Sequence, residues 1–144
     1  MNDAGTVVSL HYCPGHRKPM VAVLEAGLTE NLGFQKDMHA LPDSSRQVLL
    51  IESETLTEMG LKPGEVRENI ATKGILLMRL SRRQRLSVGR EVILEVTQAC
   101  APCSRMDEIR PGLLRQITGR RGMLARVIRG GTIARGDVIA LLDK

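Results

Sequence analysis

Apolar residues along this chain come in short runs separated by Gly, Pro and charged residues. Residues 6–10 read as a first strand, Cys13-Pro14-Gly15-His16 as a turn and residues 20–24 as a second strand. Residues 31–45, with Gly, Asp and Pro among them, form a loop long enough to carry function. Residues 47–51 are uninterrupted apolar after Gln47 and read as a buried strand. Ser53 is placed to cap a helix with Glu54 in its first turn, ending near Gly60. Pro63-Gly64 then marks a turn. Residues 75–80 are a further apolar run, followed by the charged surface piece Ser81-Arg82-Arg83-Gln84-Arg85. Residues 91–97 alternate, with Val92, Leu94 and Val96 on one face of a strand. Beyond them Ser104 can cap a short helix through Met106 to Ile109, and Pro111 can open another through Leu113, Leu114 and Ile117. Gly119-Arg120-Arg121-Gly122 is a basic turn, residues 123–128 a strand and Arg129-Gly130-Gly131-Thr132 a turn. Residues 138–142, after the turn signal Gly136-Asp137, are the last strand.

About seven short strands with two or three small helices, at this spacing, predict a mainly β fold, either a sandwich or a closed or partly closed barrel. Strands do not alternate with long helices, which disfavours a doubly wound α/β sheet. With 144 residues the chain is sized for one domain, residues 1–144, and no repeat or linker divides it. No apolar run is long enough to span a bilayer, and the start lacks the basic-then-apolar pattern of a signal peptide. Three cysteines are too few, and odd in number, for a disulfide-stapled secreted domain, so the expected compartment is the reducing cytoplasm.

Charge changes this picture. The net charge of +5 is carried by 16 Arg and only 5 Lys. Arginine makes planar, bidentate contacts with phosphate and carboxylate, which points to an anionic partner, although a base-composition bias explains the ratio equally well. With one Tyr, one Phe and no Trp, the chain lacks the stacking platforms of a single-strand nucleic-acid binder.

The sharpest candidate chemistry is Cys100-Ala101-Pro102-Cys103, at the junction of a strand and a helix start. As half a zinc site it lacks a second ligand pair. As a thiol–disulfide redox pair it has the strand–CxPC–helix order but not the surrounding βαβ pattern. As a single reactive thiol, Cys103 has Ser104 opening a helix and Arg105 and Arg110 close in sequence, and cations and helix N-termini favour thiolates. Cys100 fits better as a small buried hydrophobe. Other clusters are weaker alone. His11, Cys13 and His16 could contribute to a metal site but have no fourth ligand. Asp37 and His39 can orient one another. Arg46 stands at the mouth of a buried strand, and Glu68-Asn69 follow the turn at Pro63-Gly64. The run Arg79, Arg82, Arg83, Arg85 reads as a solvated face, with nucleic-acid binding the weaker alternative.

Taken in order, Gly33-x-x-x-Asp37-x-His39-Ala40, Arg46-Gln47-Val48, Pro63-Gly64-x-x-x-Glu68-Asn69-Ile70, Leu94-Glu95-Val96-Thr97, Pro102-Cys103, Ala125-Arg126-Val127, Gly130-Gly131-x-Ile133 and Gly136-Asp137-x-Ile139 form a pattern. That ordered set resembles the MOSC domain, the family named for the C-terminal domain of molybdenum cofactor sulfurases, over about residues 21–142. The resemblance implies a β-barrel in which the family's cysteine falls on Cys103. That cysteine would carry sulfur as a persulfide or coordinate the molybdenum of a bound pterin cofactor (molybdopterin). Catalytic and metal-binding roles therefore fall on Cys103. By motif match Arg46, Asn69 and Thr97 lie around the cofactor cleft, with Asp37 and His39 on its loop. The implied activity is sulfur transfer or reduction of N-hydroxylated compounds, with a sulfur-donor or electron-donor protein as partner. The family's association with pyridoxal phosphate belongs to the sulfurases' aminotransferase-like domain, which this sequence lacks. Two positions depart from the family pattern: Lys36 precedes Asp37, and Arg67 precedes Glu68, where the family usually has Gly.

Overall fold

A computed structural model describes residues 3–142. The strand β1 (Ala4–Tyr12) is followed by the short β2 (Val21–Val23), β3 (Glu25–Thr29) and β4 (Gly33–Phe34). Next come β5 (Val48–Glu52), α1 (Ser53–Glu58), β6 (Ile70–Lys73), a 3-10 turn (Leu77–Arg79), β7 (Arg85–Val88) and β8 (Val92–Ala99). The chain continues through α2 (Arg105–Ile109), α3 (Leu113–Ile117), β9 (Met123–Arg129), β10 (Gly131–Ala134) and β11 (Val138–Leu141).

Seven strands hydrogen-bond in the order β11-β7-β8-β9-β5-β6-β1, and β1 pairs back with β11 to close a barrel. All of these pairings are antiparallel except β5 with β6. β2 extends the sheet from β1, and β10-β3-β4 form a separate three-stranded sheet. The fold is thus mainly β with small helices, as the apolar pattern predicts, and of the two architectures which that pattern leaves open it is the barrel.

The pattern explains the packing. On β8 the alternating Val92, Leu94 and Val96 point into the barrel, where they meet Val48 and Leu50 of β5, Ala125 and Val127 of β9 and Ile139 of β11. Each large apolar side chain buried in this way stabilises the fold by about 1.5–3 kcal/mol. β5 reads as a continuous apolar run because both its faces are covered. Val48 and Leu50 face the barrel, while Ile51 joins an outer cluster with Leu56, Val66, Met106, Leu113 and Ile117 under the three helices.

Several local expectations differ from what forms. The apolar run at residues 75–80, to which the sequence pattern assigns no element, forms no strand. It makes the 3-10 turn, with buried Ile75 and Leu77 joining the barrel core. Ser53 does not cap α1: it is the first helical residue, Glu52 holds the cap position, and no side-chain cap bond forms. Ser104 and Pro111 likewise supply no side-chain cap, and α3 starts after Gly112. The loop at residues 31–45 contains β4, and the turn at residues 129–132 already contains the start of β10. Both strands sit in the small outer sheet, where short polar pairing leaves little apolar periodicity to read.

Candidate functional site

β8 ends at Ala99, and the chain then turns outward. Cys100 is held by its N–H donating to the Gly122 carbonyl (2.9 Å) and packs with Leu49 and Leu124. Three residues on, Cys103 is exposed, and its carbonyl accepts the N–H of Met106 (2.9 Å) as α2 begins. Both cysteines line one cavity of about 180 Å³. Its floor is apolar, made of Leu49, Leu124 and Met106. Four arginines, Arg46, Arg67, Arg105 and Arg121, also line the cavity, together with His39 and Asn69.

The arginines reach the cavity from four different places. Arg46 stands just before β5, with its N–H donating to Ser44 Oγ (3.0 Å). Arg105 opens α2. Arg121 is nearly buried. One of its nitrogens, Nη2, donates to the Val66 carbonyl (2.7 Å), while Nη1 is buried with no hydrogen-bond partner. Gly122 follows it at φ +120, where a side chain would strike the Leu50 carbonyl, so only Gly lets this turn lie against β5. Arg67 has φ +67. Its guanidinium donates to the carbonyls of Lys18 (2.8 Å) and Gly15 (3.2 Å) and lies 2.8 Å from Cys13 Sγ. α2 has only five residues, so the positive field of the cavity comes from the guanidiniums rather than from a helix terminus.

The structure sorts the residues expected from the sequence. Cys103, Arg46, Asn69 and His39 meet in the cavity. Asn69 is committed to the scaffold. Its Oδ1 accepts the Leu49 N–H (2.9 Å), and its Nδ2 donates to the His11 carbonyl (3.1 Å) and to Asp37 Oδ1 (3.3 Å). It therefore stitches β1, β5 and the early loop together rather than offering a free amide. Asp37 is buried beneath the wall and does not line the cavity. It accepts N–H bonds from Cys13 and His39, and its Oδ2 lies 3.6 Å from the half-exposed His39 imidazole. Thr97 does not reach the cavity: its hydroxyl donates to the Ser45 carbonyl, and it lines a neighbouring depression. Arg110 is also elsewhere, its Nη1 donating to the Met59 carbonyl and its Nη2 to Gln116. Sequence reasoning met Arg121 only as part of a basic turn and Arg67 only as a departure from the family pattern. Both depend on turn conformations that no periodicity reveals.

Behind Arg121 lies Glu68, fully buried, with Oε2 accepting the Gly64 N–H and Oε1 unpartnered. Burial raises its pKa to about 7, against the opposing pull of backbone N–H groups and of the Arg121 charge. Gly64 sits at φ +86 with the His11 ring where a Cβ would project, and burial lowers the pKa of that imidazole.

Among the described residues no group of three or more His, Cys, Asp and Glu is placed to hold a metal ion, His11, Cys13 and His16 included. A metal at Cys103 would have one protein ligand and would have to bring the rest of its coordination sphere. An anionic, metal-chelating cofactor fits the residues that line the cavity: a soft thiol and the arginines Arg46, Arg67, Arg105 and Arg121, the last of which keeps a buried nitrogen without a partner. Among the described residues no helix is long and apolar enough to cross a membrane.

The fold has solved counterparts. The YuaD protein from Bacillus subtilis superposes with a TM-score of 0.80 at 17% identity, over 96% of this chain and 95% of that one. YiiM from Geobacillus stearothermophilus superposes with a TM-score of 0.78 at 18% identity, over 96% of this chain and 75% of that one. YiiM from Escherichia coli gives 0.69 at 20% identity, over 96% and 70%. No curated protein sequence matches the chain at a significant level. The family model of the MOSC domain, however, matches residues 29–140, which takes in the barrel strands other than β1, the cavity and both of its cysteines. The chain belongs to the MOSC domain family, which is associated with molybdenum cofactor binding and sulfur transfer.

Proposed function

We propose that the chain binds a molybdenum cofactor, an anionic pterin, in the Cys103 cavity, with the Cys103 sulfur serving as sulfur carrier or metal ligand. The observation that carries this reading is an exposed thiol in a cavity lined by four arginines, one of them buried with an unused donor. Bound there, the cofactor would supply a metal able to cycle by two electrons. Arg46, Arg105 and Arg121 would hold its phosphate and other anionic groups by charge-assisted hydrogen bonds. Asn69 and Asp37 fix the wall from which His39 projects. Leu49, Leu124 and Met106 give the cavity its apolar lining.

As a sulfur carrier, the Cys103 thiolate attacks the outer sulfur of a donor persulfide. A new S–S bond forms on Cys103, the donor's own S–S bond breaks, and the donor leaves as a thiolate, so no outside oxidant is needed. As a metal ligand, the same sulfur would serve the reduction of N-hydroxylated compounds, with electrons from a donor protein. In either case the partner is a protein that supplies sulfur or electrons, in the reducing cytoplasm.

The test is to purify the protein from a host that makes the cofactor, then measure molybdenum per chain and the intact mass, for the native protein and for Cys103→Ala. Cofactor or added sulfur in the native protein, lost in Cys103→Ala, supports the reading. Neither metal nor added sulfur in either protein sinks it. A second reading, a dithiol redox pair, is favoured by one observation: Cys100 lines the same cavity as Cys103. It predicts that mild oxidation consumes both thiols together, and that Cys100→Ala leaves Cys103 free under the same treatment.

A further inference from the structure

A second concavity, about 230 Å³, adjoins the thiol cavity across the segment 44–46. Ser44, Ser45 and Thr97 supply its hydroxyls, and Arg82, Arg83 and Arg126 its positive charge. Arg46, the next residue along that segment, faces the thiol cavity instead. The end of β8 links the two hollows: Thr97 lines one and Cys100, just past the strand, the other, three residues and at most about 10 Å of extended chain away.

Three features mark this depression as built rather than incidental. First, Arg83 has φ +76 in the turn closed by the Gln84 N–H on the Ser81 carbonyl (3.1 Å). That position of a turn ordinarily takes Gly, because any other residue there is strained. The turn is bolted to β8 by Arg83 N–H to the Val96 carbonyl and Val96 N–H to the Gln84 carbonyl, both 2.8 Å, so the strain is held in place. Second, the pairing of β8 with β9 shifts register between Val96 and Gln98, leaving Thr97 as the extra residue of a bulge. Bulges of this kind re-aim a side chain and are enriched beside binding sites. Third, the acidic groups facing the depression are already engaged. Glu95 accepts from Arg85 (3.2 Å) and Arg126 (3.3 Å), and Asp43 accepts from Asn31 (2.8 Å). Arg82 and Arg83 have no side-chain partner among the described residues.

The geometry points to a second anion subsite here, which takes a phosphate-bearing end of an extended ligand whose other end lies against Cys103. The subsite deepens the cofactor reading only in what it attaches to; its own evidence is the strained Arg83, the Thr97 bulge and the unpaired guanidiniums. It reads charge rather than bases, because no aromatic ring lines it. A ligand filling both hollows gains the second contact at high effective concentration, so length and charge together set its affinity.

The experiment titrates the full chain by calorimetry, in about 0.15 M salt to shorten the range of general charge attraction. The probes are inorganic orthophosphate and linear polyphosphates of increasing length, and the proteins are wild type, Arg82→Ser, Arg83→Gly and Arg129→Ser. Arg129→Ser removes an equal charge outside the depression. The expected result is a rise in wild-type affinity of tenfold or more once the polyphosphate is long enough to span both hollows. Arg82→Ser and Arg83→Gly abolish the rise, and Arg129→Ser keeps it. Arg83→Gly also melts no lower than wild type, since Gly relieves the turn, and that rules out misfolding as the cause. A smooth increase with length that is identical in all four proteins overturns the subsite. Loss of molybdenum binding would not touch this result, and loss of the length step would not touch the molybdenum measurement, so the two proposals fail separately.

Discussion

The guanidinium of Arg67 lies 2.8 Å from the sulfur of Cys13, a residue far from it in sequence and itself fully buried. Arg67 also donates to the carbonyls of Gly15 and Lys18, so one side chain on the cavity wall pins the loop that follows β1. It does so from a left-handed backbone position, strained for any residue but Gly. Arg67→Ala keeps that strain and removes every contact. It should lower stability by about 1–3 kcal/mol in urea unfolding, because three acceptors lose a charged donor. Amide exchange of residues 15–18 should accelerate in the same variant. An unchanged exchange pattern would show that the pin is not what orders the loop.

The three thiols differ in access. Cys103 is exposed, Cys100 is buried at the cavity floor, and Cys13 is sealed under Arg67. In native protein an aromatic disulfide reagent should therefore find one fast thiol, and the other two should react only on unfolding. Cys103→Ser should remove the fast phase and change stability by no more than about 0.5 kcal/mol, as for other exposed positions. Two fast thiols, or none, would contradict this arrangement. Inorganic phosphate should slow the fast phase if the guanidiniums collect anions beside the sulfur.

Glu68 makes stability depend on pH. Its carboxyl has a pKa near 4.5 in the unfolded chain and about 7 when folded, because burial disfavours its charge. The folded state thus holds the proton more tightly. This contribution to stability is fully present below the unfolded pKa and is lost as pH rises through the folded one. Across that window the loss is on the order of 3 kcal/mol, from the size of the shift. Glu68→Gln keeps an acceptor for the Gly64 N–H and cannot ionise. Its urea midpoint should match or trail that of wild type in mild acid and overtake it above about pH 7. Parallel curves for the two proteins across that range would refute the assignment. Because Arg121 faces both Glu68 and the cavity, an anion bound in the cavity competes with the ionised carboxylate for its charge.

What the sequence revealed follows from where the physics is periodic. β8 was legible because Val92, Leu94 and Val96 alternate against the barrel core, and β5 because both its faces are buried. β6 and β7 are four residues each, too short to show a period, and β3, β4 and β10 lie in a small sheet with little apolar surface. The run at residues 75–80 showed no element because hydrophobicity reports burial, not backbone shape: Ile75 and Leu77 are buried, but in a turn. At the site, Cys103 stood out through its spacing and its place after a strand. Thr97 was drawn towards the wrong hollow because a bulge, invisible in sequence, turns it away. Arg121 was hidden because what matters about it is a single unpaired nitrogen under a glycine turn.

The seam between β1 and β11 has a kinetic consequence. It joins Ala4 to Ala140, so closing the ring means bringing nearly the whole chain end to end. For a flexible chain of that length the entropic cost is roughly 4 kcal/mol, with little return until the last strand docks. Closure should therefore be a late folding event. Any delay at that step leaves β7 and β1 with open hydrogen-bonding edges ready to pair with another molecule, so crowded refolding is where this protein is most exposed to aggregation.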